Sequence, residues 1–429
     1  MKTLPLRKIR TIILFITAAV ILGFVSYRIG FDTGKTSAIG ASTLRPLKNT
    51  TQTTEGQAID FAEFWDVWQR IHTYWVDADS IDTQKLVWGA IQGMVGALDD
   101  PYTVFLTPKE NSDFKEEIGG SFQGIGAQLG LDEGHIIIVA PLKGSPAEAA
   151  GIKPLDWILK VDGEDTVGWT VQEAVTKIRG KKATNVTLSI LHEKGTAPED
   201  ITITRDDILV PSVESWVKPI TEITQISGST VSAQLKSSTD RIAYIALSRF
   251  GDRTNEEWLK AVSQIVTEEK TKPVRGLVFD LRNNPGGYLD GAVFIASEFL
   301  KNGRVVTQTN SDGTKQDYQV DRKGMLYDIP LIVLVNKGSA SAAEIVAGAL
   351  KDYERATIVG ETSFGKGSVQ SPQDLRNGAS LHVTTGKWLL PKGDWIHKKG
   401  ITPDYLISMD DYSATNDAQL GQAIEILMK

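Results

Sequence analysis

Residues 329–352, IPLIVLVNKGSASAAEIVAGALKD, contain the change of pattern on which the fold prediction depends. An apolar run that ends at Val335 predicts a buried strand, and a turn of small residues leads into a helix near Glu344. Ser339 and Ser341 lie in that turn, where serine is a common helix cap. A serine there also lies beside free helix amides that stabilise negative charge on an oxygen. The pattern is therefore typical both of a capped helix and of a nucleophile.

Other stretches of the chain repeat this change from strand to helix. From about Ile208, apolar β-runs alternate with helical runs, as in RIAYIALSRF, VRGLVFDLRNNPGG and ATIVGET. Such alternation predicts a mainly parallel sheet covered by helices, with ligand chemistry at the carboxyl ends of the strands. Three strand ends carry unusual loops, LRNNPGG, NKGSAS and GETSFGKG. We therefore predict an α/β domain with a site where these loops meet.

A single lysine, Lys366, stands between two glycines in the third loop. The spacing from Gly360 differs by one residue from the phosphate-binding pattern G-x-x-x-x-G-K-[ST], because Gly367 stands where a hydroxyl is required. The strand, helix and returning strand between the loops would bring Lys366 beside Ser341, the arrangement of a serine activated by a lysine. Phosphate binding, base catalysis and a solvated charge are thus all open for this side chain.

A lysine base must lose its proton near neutral pH, although its ordinary pKa is near 10.4. Apolar neighbours such as Phe364 and Val369, and the lack of a carboxylate in the local sequence, favour that loss through desolvation. If this segment is extended, Lys366, Ser368 and Gln370 point to one face. The Gln370 amide could then orient the lysine amine without adding a charge.

Backbone amides are expected to stabilise the oxyanion of such a reaction. The loop DLRNNPGG ends a strand with two glycines that can adopt positive φ, and it leads into a helix with free N–H groups. We predict that Gly286 or Gly287 pairs with the amide of Ala342 as the oxyanion hole. A plain structural turn is the alternative for this loop.

The part of the chain before Gly119 divides into three stretches of different composition. Residues 1–30 carry basic residues before an uncharged apolar run at 11–27, which predicts a cytoplasmic stub and a transmembrane anchor, with the body of the chain on the extracytoplasmic side. A cleaved signal peptide followed by secretion is the alternative. Residues 31–57 are rich in Ser, Thr and Gly and predict a flexible tether. Residues 58–118 predict a helical region whose tryptophans favour a core or a dimer seam.

Residues 119–207 change to short strands and glycine turns, and they resemble a PDZ domain. GIGAQL resembles the carboxylate-binding loop and first groove strand, and VQEAVTKIRG resembles the groove helix. The resemblance implies that a peptide tail pairs with a free edge strand while loop amides hold its carboxylate. The residues that would contact the tail are Gly124, Ile125, Gly126 and Ala127. A dinucleotide loop fits less well, because the glycines of GIGAQLG are one residue too far apart.

These stretches together resemble the carboxyl-terminal processing peptidases, also called tail-specific proteases. The resemblance covers DPYTVFL (100–106), the PDZ segment, RIAYIALSRF, DLRNNPGG, KGSASAAEIVAGALKD, GETSFGKGSVQ and GKWLLPKGDWIHKKGITPDY. It implies that Ser341 is the nucleophile, Lys366 the general base and Gln370 the supporting residue. The implied fold is multidomain α/β: a transmembrane helix, a helical region, a PDZ domain, and a protease core over 208–429 with a crotonase-like sheet and helices.

The same resemblance assigns residues outside the serine–lysine pair. The family's loop glycines fall on Gly286 and Gly287, and Arg179 would be the arginine of the groove helix that couples tail binding to activation. Two departures are visible. Ala343 stands where relatives often have another serine, and KWLLPKGDWI differs from the usual T-P-S-G-R turn, which leaves the detail of the substrate groove open.

The composition excludes several function classes. The 429-residue chain has no cysteine, which excludes a thiolate nucleophile and a Cys-rich zinc site. A net charge of −7 without a basic stripe argues against a nucleic-acid surface. The five histidines form no HExxH motif, and no GxSxG elbow occurs. We expect neither a cofactor nor a metal.

The predicted function is a membrane-anchored serine endopeptidase that recognises carboxyl-terminal tails and cleaves through an acyl-enzyme. The expected partners are protein or peptide substrates with exposed tails, further copies of the chain in a homodimer or higher oligomer, and a regulatory protein. A nucleotidase would explain only Lys366. A non-catalytic PDZ scaffold would explain the peptide groove but leave the pairing of Ser341 with Lys366 without a role.

Overall fold

The computed structural model describes residues 60–192, 195–227, 231–232, 234–408 and 417–429. They belong to two compact units that divide between Asp82 and Thr83. The predicted anchor at 11–27 and the predicted tether at 31–57 lie outside the described residues. Within the described residues, no helix has the length and apolar character needed to cross a bilayer.

The described part of the first unit is one helix followed by a short 3-10 turn. Helix α1 spans Ala62–Tyr74, where the three- and four-residue spacing of aromatic residues predicts a helix. None of its residues is buried within the described chain, and Trp65 and Trp75 are 44% and 57% exposed. The stripe of aromatic side chains is therefore an uncovered face of this unit.

The second unit begins with a helical segment that packs on the α/β core. Its elements are α2 (Thr83–Gly96), β1 (Val104–Leu106) and α3 (Pro108–Gly119). Thr107 caps α3, because its hydroxyl accepts the Glu110 amide and the Glu110 carboxylate accepts the Thr107 amide. Asn111 joins α3 to the core by donating to the Gly378 carbonyl at 2.9 Å.

The predicted PDZ segment forms a five-strand antiparallel path with its own buried core. Its elements are β2 (Ser121–Gly124), β3 (Ala127–Asp132), β4 (His135–Pro141), α4 (Pro146–Ala149), β5 (Trp157–Val161), β6 (Glu164–Asp165), α5 (Val171–Ile178), β7 (Asn185–Leu191), β8 (Glu199–Thr204) and β9 (Asp206–Leu209). The main strand order is β3-β4-β5-β7-β8, so β3 is an edge strand. Side chains such as Ile138, Ile158 and Leu188 fill the interior beside α5. Strands β2 and β9 pair where the domain joins the rest of the chain.

The core contains the predicted parallel sheet with helices on both faces. Its elements are β10 (Val213–Pro219), α6 (Ile220–Ser227), β11 (Arg241–Leu247), α7 (Thr254–Thr271), β12 (Val274–Asp280), α8 (Leu289–Ala296), β13 (Arg304–Asn310), β14 (Lys315–Gln319), β15 (Leu331–Val335), α9 (Ala342–Asp352), β16 (Thr357–Gly360), β17 (Ser368–Asp374), β18 (Ser380–Leu389), β19 (Tyr405–Leu406) and α10 (Ala418–Leu427). The order is β10-β11-β12-β15-β16-β19, and β10 alone is antiparallel to its neighbour in this sheet. The predicted α/β core is confirmed.

Each face of this sheet buries a different set of helices. Trp258 of α7 and Val346 of α9 belong to the cluster on one face. Leu420 and Ile424 of α10 belong to the cluster on the other face, together with Ile220 of α6. Coverage of both faces explains why the central strands are continuous apolar runs instead of alternating patterns.

A second sheet connects the helical segment to the core. Its order is β1-β18-β13-β14, and β17 pairs antiparallel with β18. The hairpin of β17 and β18 follows directly after Lys366 in the chain. Residues near Val104 therefore share a sheet with the strands next to the lysine loop.

A buried ion pair network joins the end of β12 to the start of α10. Arg282 donates to Asp417 at 2.9 Å and to Asp280 at 2.6 Å, and all three side chains are less than 10% exposed. Removing one partner of such a network leaves a buried charge poorly compensated. The network therefore fixes the start of the loop that contains Gly286 and Gly287.

Candidate active site

The three unusual loops meet at the carboxyl ends of β12, β15 and β16. The Ala340 amide donates to the Asn284 carbonyl at 2.9 Å, which joins the first loop to the second. The Phe364 amide donates to the Ser339 carbonyl at 3.0 Å, which joins the second loop to the third. The sequence predicts this meeting of loops, and the structure confirms it.

The two candidate serines have different roles in the turn before α9. Ser339 is fully buried, and its hydroxyl donates to the Leu281 carbonyl at 2.8 Å and accepts the Asn336 amide at 2.9 Å. Ser341 is partly exposed and has φ 54° and ψ −116°, a conformation that costs a non-glycine residue about 1–3 kcal/mol. Ser339 is therefore a structural brace, and Ser341 is the strained residue at the site.

Glu344 is a buried residue that connects the Ser341 turn to the lysine loop. Its side chain is fully buried, and Oε2 accepts the amides of Ser341 and Lys366, both at 2.9 Å. Oε1 accepts the Gly365 amide and the Ser363 hydroxyl, both at 2.6 Å. One carboxylate thus holds four donors from two loops that are far apart in sequence.

The sequence contains a signal for one of the contacts of Glu344, although the residue is not among the predicted site residues. A glutamate three residues after a serine at a helix start is the spacing of a capping box. That spacing accounts for the bond to Ser341, but no local pattern predicts that the same carboxylate also receives Gly365 and Lys366. These contacts depend on the return of the chain through β16.

The bonds to Glu344 also bear on the phosphate-binding alternative. A phosphate loop needs free backbone amides that point at the anion. Here the amides of Gly365 and Lys366 already bind the Glu344 carboxylate. An internal anion fills the position that a phosphate would need, so this loop is not arranged as a nucleotide site.

Lys366 lies in a partly buried position against an aromatic ring. Its Nζ is 5.1 Å from the centroid of the Tyr102 ring. Burial lowers the pKa of the Lys366 amine below its ordinary value, while the carboxylates of Asp100 and Glu344 oppose that shift. The predicted lack of a nearby carboxylate does not hold, because the tertiary fold brings Asp100 and Glu344 close enough to act on the amine.

The burial of the lysine loop involves a residue that the sequence does not single out. Phe364 is 54% exposed and Val369 is partly buried, and their contribution to the desolvation of Lys366 stays a prediction. Trp395 donates its Nε1 hydrogen to the Gly367 carbonyl at 2.8 Å and covers the loop from the other side. Substituting Gly367 would place a Cβ within 2.6 Å of that tryptophan nitrogen. The segment after KWLL, which differs from the usual T-P-S-G-R turn, therefore packs against the lysine loop.

The backbones of Ser341 and Lys366 lie close together, but their side chains are not hydrogen-bonded to each other. Both amides bind the same Oε2 atom of Glu344. In the described part of the chain, no hydrogen bond joins Ser341 Oγ to Lys366 Nζ, and the amine lies over Tyr102. Their roles as nucleophile and base stay predictions.

Gln370 lies near the site with its amide directed to two hydroxyls. Its Nε2 donates to Ser368 Oγ at 3.0 Å and to Thr384 Oγ1 at 3.1 Å. Strand β17 begins at Ser368, after the lysine, and its register shifts between Val369 and Gln370. Contact between Gln370 and the Lys366 amine is not present here, so the supporting role stays a prediction.

The candidate oxyanion residues lie against the Ser341 turn. A Cβ on Gly286 would come within 2.7 Å of Ser341 Cβ, and a Cβ on Gly287 would come within 2.0 Å of the Phe250 carbonyl oxygen. With φ of 104° and 135°, both positions require glycine. The Gly286 amide donates to Asn284 Oδ1 at 2.8 Å, so it would have to exchange that acceptor for an oxyanion.

The amide of Ala342 is better placed to donate to an oxyanion. Ala342 is the first residue of α9, and an N–H group in the first helical turn has no acceptor within its helix. The assignment of the oxyanion hole to Gly286, Gly287 and Ala342 stays a prediction.

Four of the predicted tail-binding residues run from the end of β2 to the start of edge strand β3. Gly124 pairs with Asp206, and Ile125 is buried with its carbonyl bonded to the Ala147 amide. Gly126 has φ 75°, and a Cβ there would come within 2.4 Å of a serine side chain. Ala127 begins β3. The free edge of β3 can accept a peptide strand.

Arg179 directly follows the groove helix α5. Its guanidinium carbon lies 4.5 Å from the centroid of the Phe122 ring, and Nη1 lies 3.9 Å from Glu116 Oε2. Both members of this ion pair are more than one third exposed, so the pair contributes little stability. The charge of Arg179 is thus loosely held beside the predicted carboxylate loop.

Comparisons with known proteins agree with these domains. Residues 241–407 match peptidase family S41, residues 112–191 match the PDZ domain, and residues 25–110 match the N-terminal domain of the activating protease CtpB. The chain is 39% identical to the carboxy-terminal processing protease CtpA of Bacillus subtilis, over 77% of this chain and 66% of the relative. It is 37% identical to CtpB of the same organism, over 82% of this chain and 68% of the relative.

A solved structure shows the same fold. A protein from Bacteroides fragilis assigned to the S41 proteases aligns with a TM-score of 0.54, over 88% of this chain and 99% of the other at 16% identity. The chain spans about two thirds of the length of the two Bacillus relatives.

The parallel core, the strand-end loops and the PDZ domain define the class of PDZ-containing serine peptidases. Within that class, the chain belongs to peptidase family S41, among the carboxy-terminal processing proteases.

The bonds of Glu344 generate a test of the site. Glu344→Gln replaces one acceptor oxygen with an NH₂ group that faces N–H donors, so both loops lose their common partner. We expect kcat/KM for peptide hydrolysis to fall about 100-fold, because small displacements of reacting groups cost that much. The free energy of unfolding in urea should fall by about 3 kcal/mol. Glu354→Gln, exposed just after the same helix, should leave both quantities unchanged. Wild-type kinetics in Glu344→Gln would contradict this role.

Proposed function

We propose that this chain is a carboxy-terminal processing endopeptidase in which Ser341 is the nucleophile and Lys366 is the base. The main support is the pair of bonds to Glu344, since one buried carboxylate holds the amides of both residues. The strained backbone of Ser341 adds to this support, because strain of that kind persists where the surrounding structure enforces it and is typical of functional sites.

The proposed reaction proceeds through an acyl-enzyme. Neutral Lys366 Nζ takes the proton of Ser341 Oγ while Oγ attacks the scissile carbonyl carbon. The C–N bond then breaks, and the Lys366 ammonium gives its proton to the leaving amine. Water attacks the resulting ester, Lys366 takes the water proton, and that proton returns to Ser341 Oγ. One peptide bond and one water yield a carboxylic acid and an amine.

Two features of the site support the electrostatics of this reaction. Burial lowers the pKa of Lys366, which increases the neutral fraction of the amine at a given pH. The free amide of Ala342 and the close approach of Gly286 to Ser341 provide a place for an oxyanion. Rotation of the Lys366 side chain from Tyr102 to Ser341 would complete the arrangement, and Gln370 would support the rotated amine.

Tail recognition is proposed for the PDZ domain. The free edge of β3 supports strand addition by an extended peptide, and Arg179 supplies a positive charge near Gly124. Binding of a substrate tail would favour the arrangement in which the lysine engages the serine.

Cleavage by the full chain is the direct test. We expect fragments of a tailed model protein by mass spectrometry with the wild type, and none with Ser341→Ala. Lys366→Arg should also be inactive, because guanidinium does not lose its proton at usable pH. The wild-type kcat/KM should rise with pH through a group that titrates below the ordinary lysine value, because the reactive form is the neutral amine. Lys399→Arg, at an exposed lysine, is the matched control.

The same experiment separates the proposal from its rival. A wild-type chain that binds the tail but leaves the protein intact would support a non-catalytic scaffold. Cleavage that persists in Ser341→Ala would show that another residue is the nucleophile.

A second test addresses the tail. Substrates with a free carboxyl terminus should be cleaved about tenfold more efficiently than the same substrates with an amidated terminus, since a charge-assisted hydrogen bond is lost. Arg179→Ala should reduce this preference, because only the loop amides would then hold the carboxylate. Lys177→Ala, in the last turn of α5 and paired with Glu164, should retain it. An equal preference in Arg179→Ala and the wild type would contradict the proposed role of Arg179 in tail recognition.

The N-terminal region is proposed to anchor and to join copies of the chain. The uncharged run at 11–27 supports an anchor that leaves the catalytic part outside the cytoplasm, and the exposed aromatic face of α1 supports a dimer seam. The full chain should sediment with membranes and be degraded by protease added outside the cell. Residues 58–429 should be free of membranes and form at least a dimer by light scattering, and Trp65→Ser with Trp75→Ser should make it monomeric. A full chain found in the soluble cytoplasmic fraction would refute the anchor.

A further inference from the structure

The Lys366 amine has an aromatic ring as its neighbour and lacks a hydrogen-bond acceptor among the described residues. Nζ lies 5.1 Å from the Tyr102 centroid, within the range of a cation–π interaction. Its charged and titratable surroundings are Asp100, Glu344 and His382. The ring is therefore the direct contact of the amine in its unengaged position.

Tyr102 is held by a turn that is anchored to the core. The Asp100 carboxylate accepts the Thr103 hydroxyl at 2.6 Å and the Tyr102 amide at 3.2 Å. The same Thr103 oxygen accepts the Thr384 amide at 3.0 Å, and β1 continues the attachment by pairing with β18. The ring thus comes from the helical segment before the PDZ domain, yet it is presented to the lysine by bonds to the core.

Two further rings enclose the lysine loop on its other side. His397 meets the Tyr102 ring edge to face at 6.1 Å and stacks on Trp395 at 5.0 Å. Trp395 bonds to the Gly367 carbonyl, next to the lysine. The Nδ1 atom of His397 is buried without a hydrogen-bond partner among the described residues. These three rings limit the positions that the Lys366 side chain can take.

We infer that Tyr102 is a positioning residue for the base Lys366. The Tyr102 ring holds the Lys366 ammonium away from Ser341 and releases the amine when it is neutral. The inference rests on the proposed function of Ser341 and Lys366. A ring face attracts a cation through its quadrupole, and this attraction disappears when the amine loses its proton. Tyr102 and Ser341 therefore compete for the same side chain, and protonation decides between them. The ring stabilises the charged form, in the same direction as Asp100 and Glu344 and opposite to burial.

A series of substitutions at Tyr102 tests this role through the pH profile. Tyr102→Leu keeps an apolar side chain but removes the quadrupole, so the acid limb of kcat/KM should move to lower pH by about 0.5–1.5 units. Tyr102→Phe keeps the ring face and should keep the acid limb at the wild-type position. Tyr102→Trp should move the limb to higher pH, because indole binds cations more strongly. The pH dependence of Ser341 labelling by a fluorophosphonate probe should shift in the same direction for each variant, because labelling needs the base but no peptide substrate.

The outcomes separate this inference from the proposed function. A wild-type chain that fails to cleave, or cleavage that survives in Ser341→Ala, would overturn the proposed function itself. An active wild type with identical acid limbs in Tyr102→Leu, Tyr102→Phe and Tyr102→Trp would overturn the role of the ring. If Tyr102→Leu does not fold, as judged by its urea unfolding curve, the comparison of Phe with Trp decides, and coincident limbs in that pair would count against the inference.

Discussion

The bonding of one buried carboxylate is the constraint on which the site depends. Glu344 projects from the helix that Ser341 opens, and it accepts donors from that turn and from the lysine loop. A buried charge requires such donors, and each charge-assisted bond contributes about 1.5–3 kcal/mol. These bonds can offset the strain of a non-glycine residue at φ 54°. The same side chain therefore stabilises the conformation of the Ser341 turn and the path of the lysine loop.

The environment of Lys366 combines opposing effects on its charge. Burial lowers the pKa of the amine, and the carboxylates of Asp100 and Glu344 raise it. The ring of Tyr102 adds attraction for the charged form, and Trp395 closes the loop from the other side. A base that must gain and lose a proton within each turnover needs such a balance, because an excess in either direction would hold it in one protonation state.

The chain order links the PDZ domain to the site through a short path. Strand β1 follows the turn of Tyr102, α3 comes next, and β2 leads into the loop at residues 124–127 of the PDZ domain. Asn111 of α3 bonds to Gly378 and to Ser380, at the start of β18. The segment before the PDZ domain is thus a part of the core sheet and not an appendage. This arrangement explains why the resemblance to the peptidase family includes DPYTVFL as well as the catalytic loops.

The sequence by itself determined the alternation of strands and helices, the PDZ segment and the meeting of three loops, because periodicity and glycine turns are local properties. It also singled out Ser341 and Lys366. Only the tertiary structure distinguished Ser339 as a brace, assigned Glu344 to both loops and placed Tyr102 under the lysine. Those contacts join residues separated by up to hundreds of positions, so neither spacing nor composition can encode them. The partners of Gln370 are a similar case, since its amide bonds to Thr384 of the neighbouring strand as well as to Ser368.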